Sequence, residues 1–269
     1  MKLGYLLSSE EFGPRSLIEQ ARLAQRAGFR DLWISDHFHP WNDAQGHSSF
    51  VWSVIGALAG EIPGMRVTTA VTCPTMRIHP AIIAQAAATC SILLEGRFAL
   101  GLGSGEALTS TSSETAGRRR IGDGFCTVQP DAEAVGQYRA PAPRPGIVAG
   151  GMKVCWSKDE AEARARTHRL WPNEQLPGEL AQILPTPAHF EQASELVDED
   201  AVAEAVPCGP DLDRHLSAIR AYEEAGFDEL YVQQIGDDHE RFFEVYASEI
   251  VPRFHGRDSE VAGLSSAGG

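Results

Sequence analysis

The sequence predicts a single α/β domain of the TIM (βα)8-barrel type, shortened by about one unit. Three observations carry this. Short β-rich runs alternate with amphipathic runs along the whole chain. An internal echo relates Ala27-Gly28-Phe29-Arg30-Asp31-Leu32-Trp33-Ile34 to Ala225-Gly226-Phe227-Asp228-Glu229-Leu230-Tyr231-Val232. Each is a helix stop, a turn and a strand, so one βα module stands near both ends of the chain. No Gly-x-Gly-x-x-Gly follows the first strand, which argues against a doubly wound dinucleotide fold.

The elements follow in order. Residues 2–7 read as the first strand. Gly13-Pro14 opens a helix with proline at its first position, Leu17, Ile18, Ala21 and Ala24 form its apolar face, and Gly28 ends it. A strand covers 31–36 and a helix about 49–60. Val67 to Cys73 is β-branched and reads as the third strand. Ile78-His79-Pro80 opens the next helix, with apolar positions Ile82, Ile83, Ala86, Cys90, Leu93 and Leu94 and a stop at Gly96. A fourth strand covers 98–103. Later strands fall at 124–128, 147–155 and 229–235. Helices fall near 158–169, 188–197, 211–225 and 238–251, the last with a core face of Phe242, Phe243, Tyr246 and Ile250.

The count comes up short. Four strands precede Glu106 and three follow Ile121. The segment between, 107–120, is polar and aperiodic, and it is too short for a helix, a strand and another helix, since a βαβ unit takes roughly 30 residues. Helix 4, strand 5 and helix 5 of a barrel are missing there. Residues 1–255 make the single domain, and 256–269, rich in Gly, Ser and Ala, reads as a disordered tail.

The formal charge of −14 argues against nucleic acid or an anionic membrane as the main partner. The lysines are Lys2, Lys153 and Lys158, so arginine supplies nearly all cationic chemistry. Five cysteines without a C-x-x-C pair argue against a disulfide framework or a zinc ribbon and suit a cytoplasmic protein. The N-terminal apolar run is too short for a signal-peptide core, and no run reaches the ~18 residues of a membrane span.

Chemistry gathers at two strand ends. Ser35-Asp36-His37-Phe38-His39-Pro40-Trp41 follows the second strand, and Gly101-Leu102-Gly103-Ser104-Gly105-Glu106 closes the fourth. The carboxyl ends of parallel strands are where α/β active sites collect. His37 and Glu106 are the candidate acid/base pair. Asp36 capping a loop and Trp41 filling the barrel mouth is the structural alternative. His37-x-His39 also suggests a metal-dependent hydrolase, but such a site needs further ligands at later strand ends, and His168, His189, His215 and His239 fall in or beside helices. No metal site is expected.

These residues bring a family into view. The chain resembles the coenzyme F420-dependent branch of the luciferase-like TIM-barrel oxidoreductases, in particular its glucose-6-phosphate-dehydrogenase-like group. The resemblance rests on 35–41, on Thr72-Cys73-Pro74-Thr75-Met76-Arg77-Ile78-His79-Pro80 and its continuation to Gln85, and on Gly103-Ser104-Gly105-Glu106-Ala107-Leu108. It continues through 121–125, Trp171-Pro172-Asn173 and 184–192. It implies a deazaflavin at the carboxyl face, a small-molecule substrate, hydride transfer between an alcohol or carbonyl and the deazaflavin, and a homodimer. On the matching positions it implies that Asp36, Ala70, Val71, Cys73 and Gly105 approach the cofactor. His37 and Glu106 would handle protons, and Trp41 would steady the transferring group. The Ala70-Val71 peptide falls where the family often has a non-prolyl cis bond.

The chain also departs from the family. Thr109-Ser110 stands where Asn-Glu is usual, the Gly-rich turn for the cofactor phosphate is missing, and 174–192 contains no Lys or Arg. Glucose 6-phosphate is therefore not the expected substrate. Two other readings remain open: an FMN-dependent luciferase-like monooxygenase or reductase, and a truncated barrel without catalysis.

Overall fold

The computed structural model describes residues 1–74, 77–103, 124–140, 146–178 and 180–255. They hold seven strands: β1 (Lys2–Leu7), β2 (Asp31–Ile34), β3 (Arg66–Thr69), β4 (Phe98–Ala99), β5 (Gly124–Thr127), β6 (Ile147–Val154) and β7 (Glu229–Gln234). These form one sheet in the order β4-β3-β2-β1-β7-β6-β5, and every pairing is parallel. β1 thus lies in the middle, between the second strand and the last. Among the described residues no pairing joins β4 to β5, so the sheet is a curled barrel left open on one side. The seven strands match the expected shortened barrel. The linker 107–120, Gly105, Glu106 and the tail 256–269 lie outside the described residues.

Helices cover the outer face of the sheet and build an excursion after β6. They are α1 (Pro14–Arg26), α2 (Val51–Glu61), α3 (Pro80–Leu93), α4 (Ala132–Arg139), α5 (Glu160–Leu170), α6 (Leu180–Ile183), α7 (Pro187–Ser194), α8 (Glu199–Ala205), α9 (Leu212–Glu224), α10 (His239–Val245) and α11 (Pro252–His255). The echo in the sequence is an echo in hydrogen bonds. After α1, Gly28 has φ +92°, its N–H donates to Gln25 O, and Phe29 N–H donates to Ala24 O. After α9, Gly226 has φ +90°, its N–H donates to Glu223 O, and Phe227 N–H donates to Tyr222 O. Both are Schellman caps, in which a left-handed residue satisfies the last carbonyls of the helix and glycine fits without a Cβ clash. Each cap turns the chain into a strand that pairs with β1.

Alternation along the strands separates two cores. Leu3, Tyr5 and Leu7 of β1, Leu32 and Ile34 of β2, Val67 of β3, and Leu230 and Val232 of β7 pack outward against helices. Trp33, Ala149 and Tyr231 turn inward, with Leu6 and Ala70 against them. Trp33 and Tyr231 stack with centroids 4.3 Å apart. At the amino end of the interior, Arg66 reaches Asp31 (3.1 Å), the Tyr231 hydroxyl (2.8 Å) and Glu229. Only a residue without a side chain fits opposite: a Cβ on Gly4 would lie 2.4 Å from the Tyr231 ring.

The structure corrects several expectations. Ile82 and Leu93, read as part of an apolar face on α3, are 56% and 50% exposed, while Ile83, Cys90 and Leu94 are buried. α3 rests on α2 and β4 through one narrow face, and its other apolar side is turned to solvent. The third and fourth strands end earlier than expected. β3 stops at Thr69, the chain passes a cis peptide at Ala70–Val71, and Thr72 then bridges to Leu102. α4 has no counterpart in the sequence reading, although Asp131 caps it by accepting from Glu133 N and Ala134 N.

Gly4→Val should lower unfolding free energy by about 1–3 kcal/mol, the usual cost of overpacking a filled interior. A denaturant titration checks this, and an unchanged midpoint would show that the Tyr231 ring can move aside.

Candidate active site

The turn after β1 supplies the first groups. Ser8, Ser9, Glu10 and Glu11 are all buried. Ser9 is tied to the end of β2, its N–H donating to Ser35 Oγ and its hydroxyl to Ser35 O, both at 2.8 Å. Glu10 Oε2 accepts from the hydroxyls of Ser8 (2.8 Å) and Ser35 (2.7 Å). Glu10 Oε1 has no hydrogen-bond partner and lies 3.8 Å from His37 Nδ1. One carboxylate oxygen is thus clamped and the other is left facing an imidazole. That places a buried carboxylate oxygen beside the Nδ1 edge of the imidazole.

β2 delivers the next groups. Asp36 is buried and accepts from the Thr72 hydroxyl (2.8 Å) and from Arg77. His37 is partly exposed, and its ring meets Trp41 edge-on at 4.8 Å. Trp41 in turn meets Phe190 of α7 at 5.1 Å. The loop carrying Trp41 is pinned to the excursion after β6: Asn42 Nδ2 and Gln45 Nε2 both donate to Leu170 O, and Asp43 N–H donates to Glu191. His39 points elsewhere, exposed and against Phe38.

β3 and β4 build a floor with little side chain on it. The Ala70–Val71 peptide is cis, as expected. Thr72 N–H donates to Gly101 O, and Gly103 N–H donates to Thr72 O. A Cβ on Gly103 would sit 2.4 Å from Val71 and 3.2 Å from Cys73 Sγ, so glycine is required where these two chains close together.

The far wall comes from β6, β7 and the segment after α5. Glu11 Oε2 accepts from Trp171 Nε1 at 2.7 Å, and its other oxygen accepts from Gly236 N. Burial pushes the Glu11 carboxyl up to about 7, against the pull of those two donors. Lys153 lies over the Trp171 ring and pairs with Glu174.

Of the expected site residues, Asp36, His37, Trp41, Ala70, Val71 and Cys73 all lie beyond the carboxyl ends of β2 and β3. Gly105 and Glu106 lie outside the described residues, so the expected pocket shared by His37 and Glu106 does too. Glu10, Glu11, Thr72, Lys153 and Trp171 had no assigned role in the sequence reading. The strand-end argument applied to β2 and β4 would have found Glu10 and Glu11 had it been applied to β1.

Comparison with known proteins now adds to this geometry. A family model described as luciferase-like monooxygenase matches residues 1–120. The F420-dependent glucose-6-phosphate dehydrogenase of Beutenbergia cavernae is 28% identical over 336 residues, covering 97% of this chain and 100% of that protein. Over residues 1–120 the chain is similar to that family. The enzyme of the same name from Amycolatopsis mediterranei is 27% identical over 330 residues, covering 94% and 98%. Both alignments run longer than the 269 residues of this chain, so the relatives carry intervening residues that it lacks. Among solved structures, an F420-dependent secondary alcohol dehydrogenase holding an F420-acetone adduct superposes with TM-score 0.78 at 20% identity, covering 93% and 98%. The coenzyme F420-dependent tetrahydromethanopterin reductase from Methanopyrus kandleri gives TM-score 0.66 at 18% identity, covering 94% and 99%. These two share the fold of this chain.

Glu11 makes the site's pH dependence testable. Its carboxyl is raised on folding from 4.5 to about 7, so the native chain keeps a proton that the unfolded chain has lost. That stabilisation is complete below about pH 4.5 and fades as the pH rises to about 7. It amounts to on the order of 3 kcal/mol at most. Glu11→Gln should flatten this part of the stability profile in urea titrations at stepped pH. Parallel profiles for the two proteins would contradict it.

Proposed function

We propose that the chain is an F420-dependent oxidoreductase that transfers hydride between a small alcohol or carbonyl substrate and the deazaflavin. The observation that carries it is the clamped carboxylate of Glu10 with its unpartnered oxygen toward His37, on the barrel face that bears Asp36 and the Gly101–Gly103 floor. When bound, the deazaflavin supplies the carbon that accepts or returns hydride. The residues present suit the group: Asp36, Thr72 and the cis Ala70–Val71 peptide stand together beyond β2 and β3, and Gly101 and Gly103 let the two chains there close together. Asp36, Ala70, Val71, Cys73 and Gly105 would hold the ring system.

His37 takes the hydroxyl proton as an alcohol is oxidised and returns it in the reverse direction. Glu10 presents its carboxylate to Nδ1, which leaves Nε2 for the substrate. Trp41, braced by Phe190, limits where the transferring group can sit. Glu106 serves as the second acid/base. The reading takes 1–255 as one domain in a cytoplasmic homodimer. Among the described residues no helix is long and apolar enough to cross a membrane. An FMN-dependent reaction is the second reading, since a solved structure with FMN bound, a type II Baeyer-Villiger monooxygenase, shares the fold with TM-score 0.61.

Titrating the purified chain with F420 and with FMN, followed by cofactor fluorescence, tests the reading. F420 should bind more tightly than FMN, though weakly, because the phosphate turn is missing from the sequence. FMN retained through purification would reverse the ranking. His37→Ala and Glu106→Gln should each lower turnover by about 10²–10⁴ with little change in cofactor affinity. The two sheet edges and the exposed Leu102 and Val128 (54% and 55%) favour association with a second copy. Sedimentation velocity should find a dimer, and a monomer at micromolar concentration would remove that part.

A further inference from the structure

We propose that Glu174 is a specificity-determining residue that closes the substrate side of this mouth to anions and leaves it to uncharged alcohols and carbonyls. This rests on the reading that the mouth walled by His37 and Trp41 receives the substrate. The argument is one of charge. Lys153 stands near the carboxyl end of β6, paired in register with Gln233 of β7. Gln233 reaches toward Glu11, and Trp171 donates to Glu11. Trp41 packs against the cluster that contains Trp171. Lys153 therefore belongs to the same mouth as His37.

Its ammonium is already engaged. Nζ is 2.8 Å from Glu174 Oε1 and 4.3 Å from the centroid of the Trp171 ring. The two charged side chains are only 15% and 28% exposed, so salt screens them less than a surface pair. Glu174 lies in the 3-10 turn Pro172–Gln175 directly after Trp171. Indole and carboxylate thus hold the ammonium from neighbouring positions of one rigid segment.

Among the described residues, two arginines near these elements are paired as well, although Arg166 Nη1 has no hydrogen-bond partner. Arg77 pairs with Asp36, and Arg166, packed behind Gly236, pairs with Glu162. Glu10, Glu11 and Asp36 are buried on the same face. A phosphate or carboxylate on the substrate would meet these carboxyl groups and would have to displace Glu174 to reach Lys153. A hydroxyl or carbonyl meets no such repulsion and needs a proton partner only at His37.

Isothermal titration calorimetry with inorganic phosphate at low ionic strength tests this on the full chain, without cofactor or turnover. Glu174→Gln should bind phosphate at least tenfold more tightly than the wild type, and adding Lys153→Met should abolish the gain. Glu174→Asp keeps the charge and should behave as the wild type, which separates lost charge from a disturbed turn. Wild-type binding as tight as that of Glu174→Gln would overturn the proposal, as would a gain that survives Lys153→Met. A failed F420 titration would remove the hydride-transfer reading and leave this titration interpretable. A failed phosphate titration beside intact F420 binding would remove only the substrate class.

Discussion

β1 is hydrogen-bonded on both sides, to β2 and to β7, and every feature of the site follows from that parallel pairing. Parallel strands end on the same side of a sheet. The pairing therefore delivers Ser8–Glu11, Ser35–His37, residues 70–73, Lys153 and Gly236 to one face. It also joins the two ends of the chain. Gly236 N reaches Glu11 across 225 positions of sequence because β7 lies beside β1. Gly28 and Gly226 serve this pairing directly, since each cap launches one of the strands that flank β1.

Local chemistry was legible in the sequence wherever one residue type is nearly compulsory. A left-handed cap demands glycine, so the echo at Gly28 and Gly226 could be read from the chain and with it the barrel type. The missing unit was legible because a parallel crossover has a minimum length. The crowd at Asp36, His37 and Trp41 stood out because so many polar and aromatic groups at one strand end need a reason. What was not legible depends on distant partners. Glu10 and Glu11 look like an ordinary polar turn until Ser35, Trp171 and Gly236 close on them. The α3 face was misjudged for the opposite reason. Periodicity shows which residues are apolar, while burial depends on a neighbour that Ile82 and Leu93 do not find.

The open side of the sheet and the face that bears His37 differ in how well they are finished. Around β4 and β5 the exposed residues include Leu100, Leu102, Val128 and Ile147, and β5 itself carries no fully buried residue. Around β1, β2 and β7 nearly every position is buried, and the polar groups there are mostly paired. Barrel closure links strand number, tilt and stagger, so the loss of one unit is felt at its two neighbours. The β1–β2–β7 seam lies on the opposite side of the sheet order from that gap. The groups that surround His37 are held by this intact half.

Among the described residues three carboxyl groups are buried at this face, and the fold treats each differently. Asp36 has a hydroxyl and a guanidinium. Glu11 has an indole N–H and a backbone N–H, and burial still raises its carboxyl to about 7. Glu10 has two hydroxyl donors on one oxygen and none on the other. An unpartnered buried carboxylate oxygen costs on the order of 1–3 kcal/mol or more, and a sequence free to relieve it has only to place one more donor within reach. The His37 ring instead stands 3.8 Å away, beyond hydrogen-bond distance. A donor added there would stabilise the chain and weaken the field at the imidazole. On the proposed reading, the unmet bond at Glu10 therefore sets stability against proton chemistry at His37.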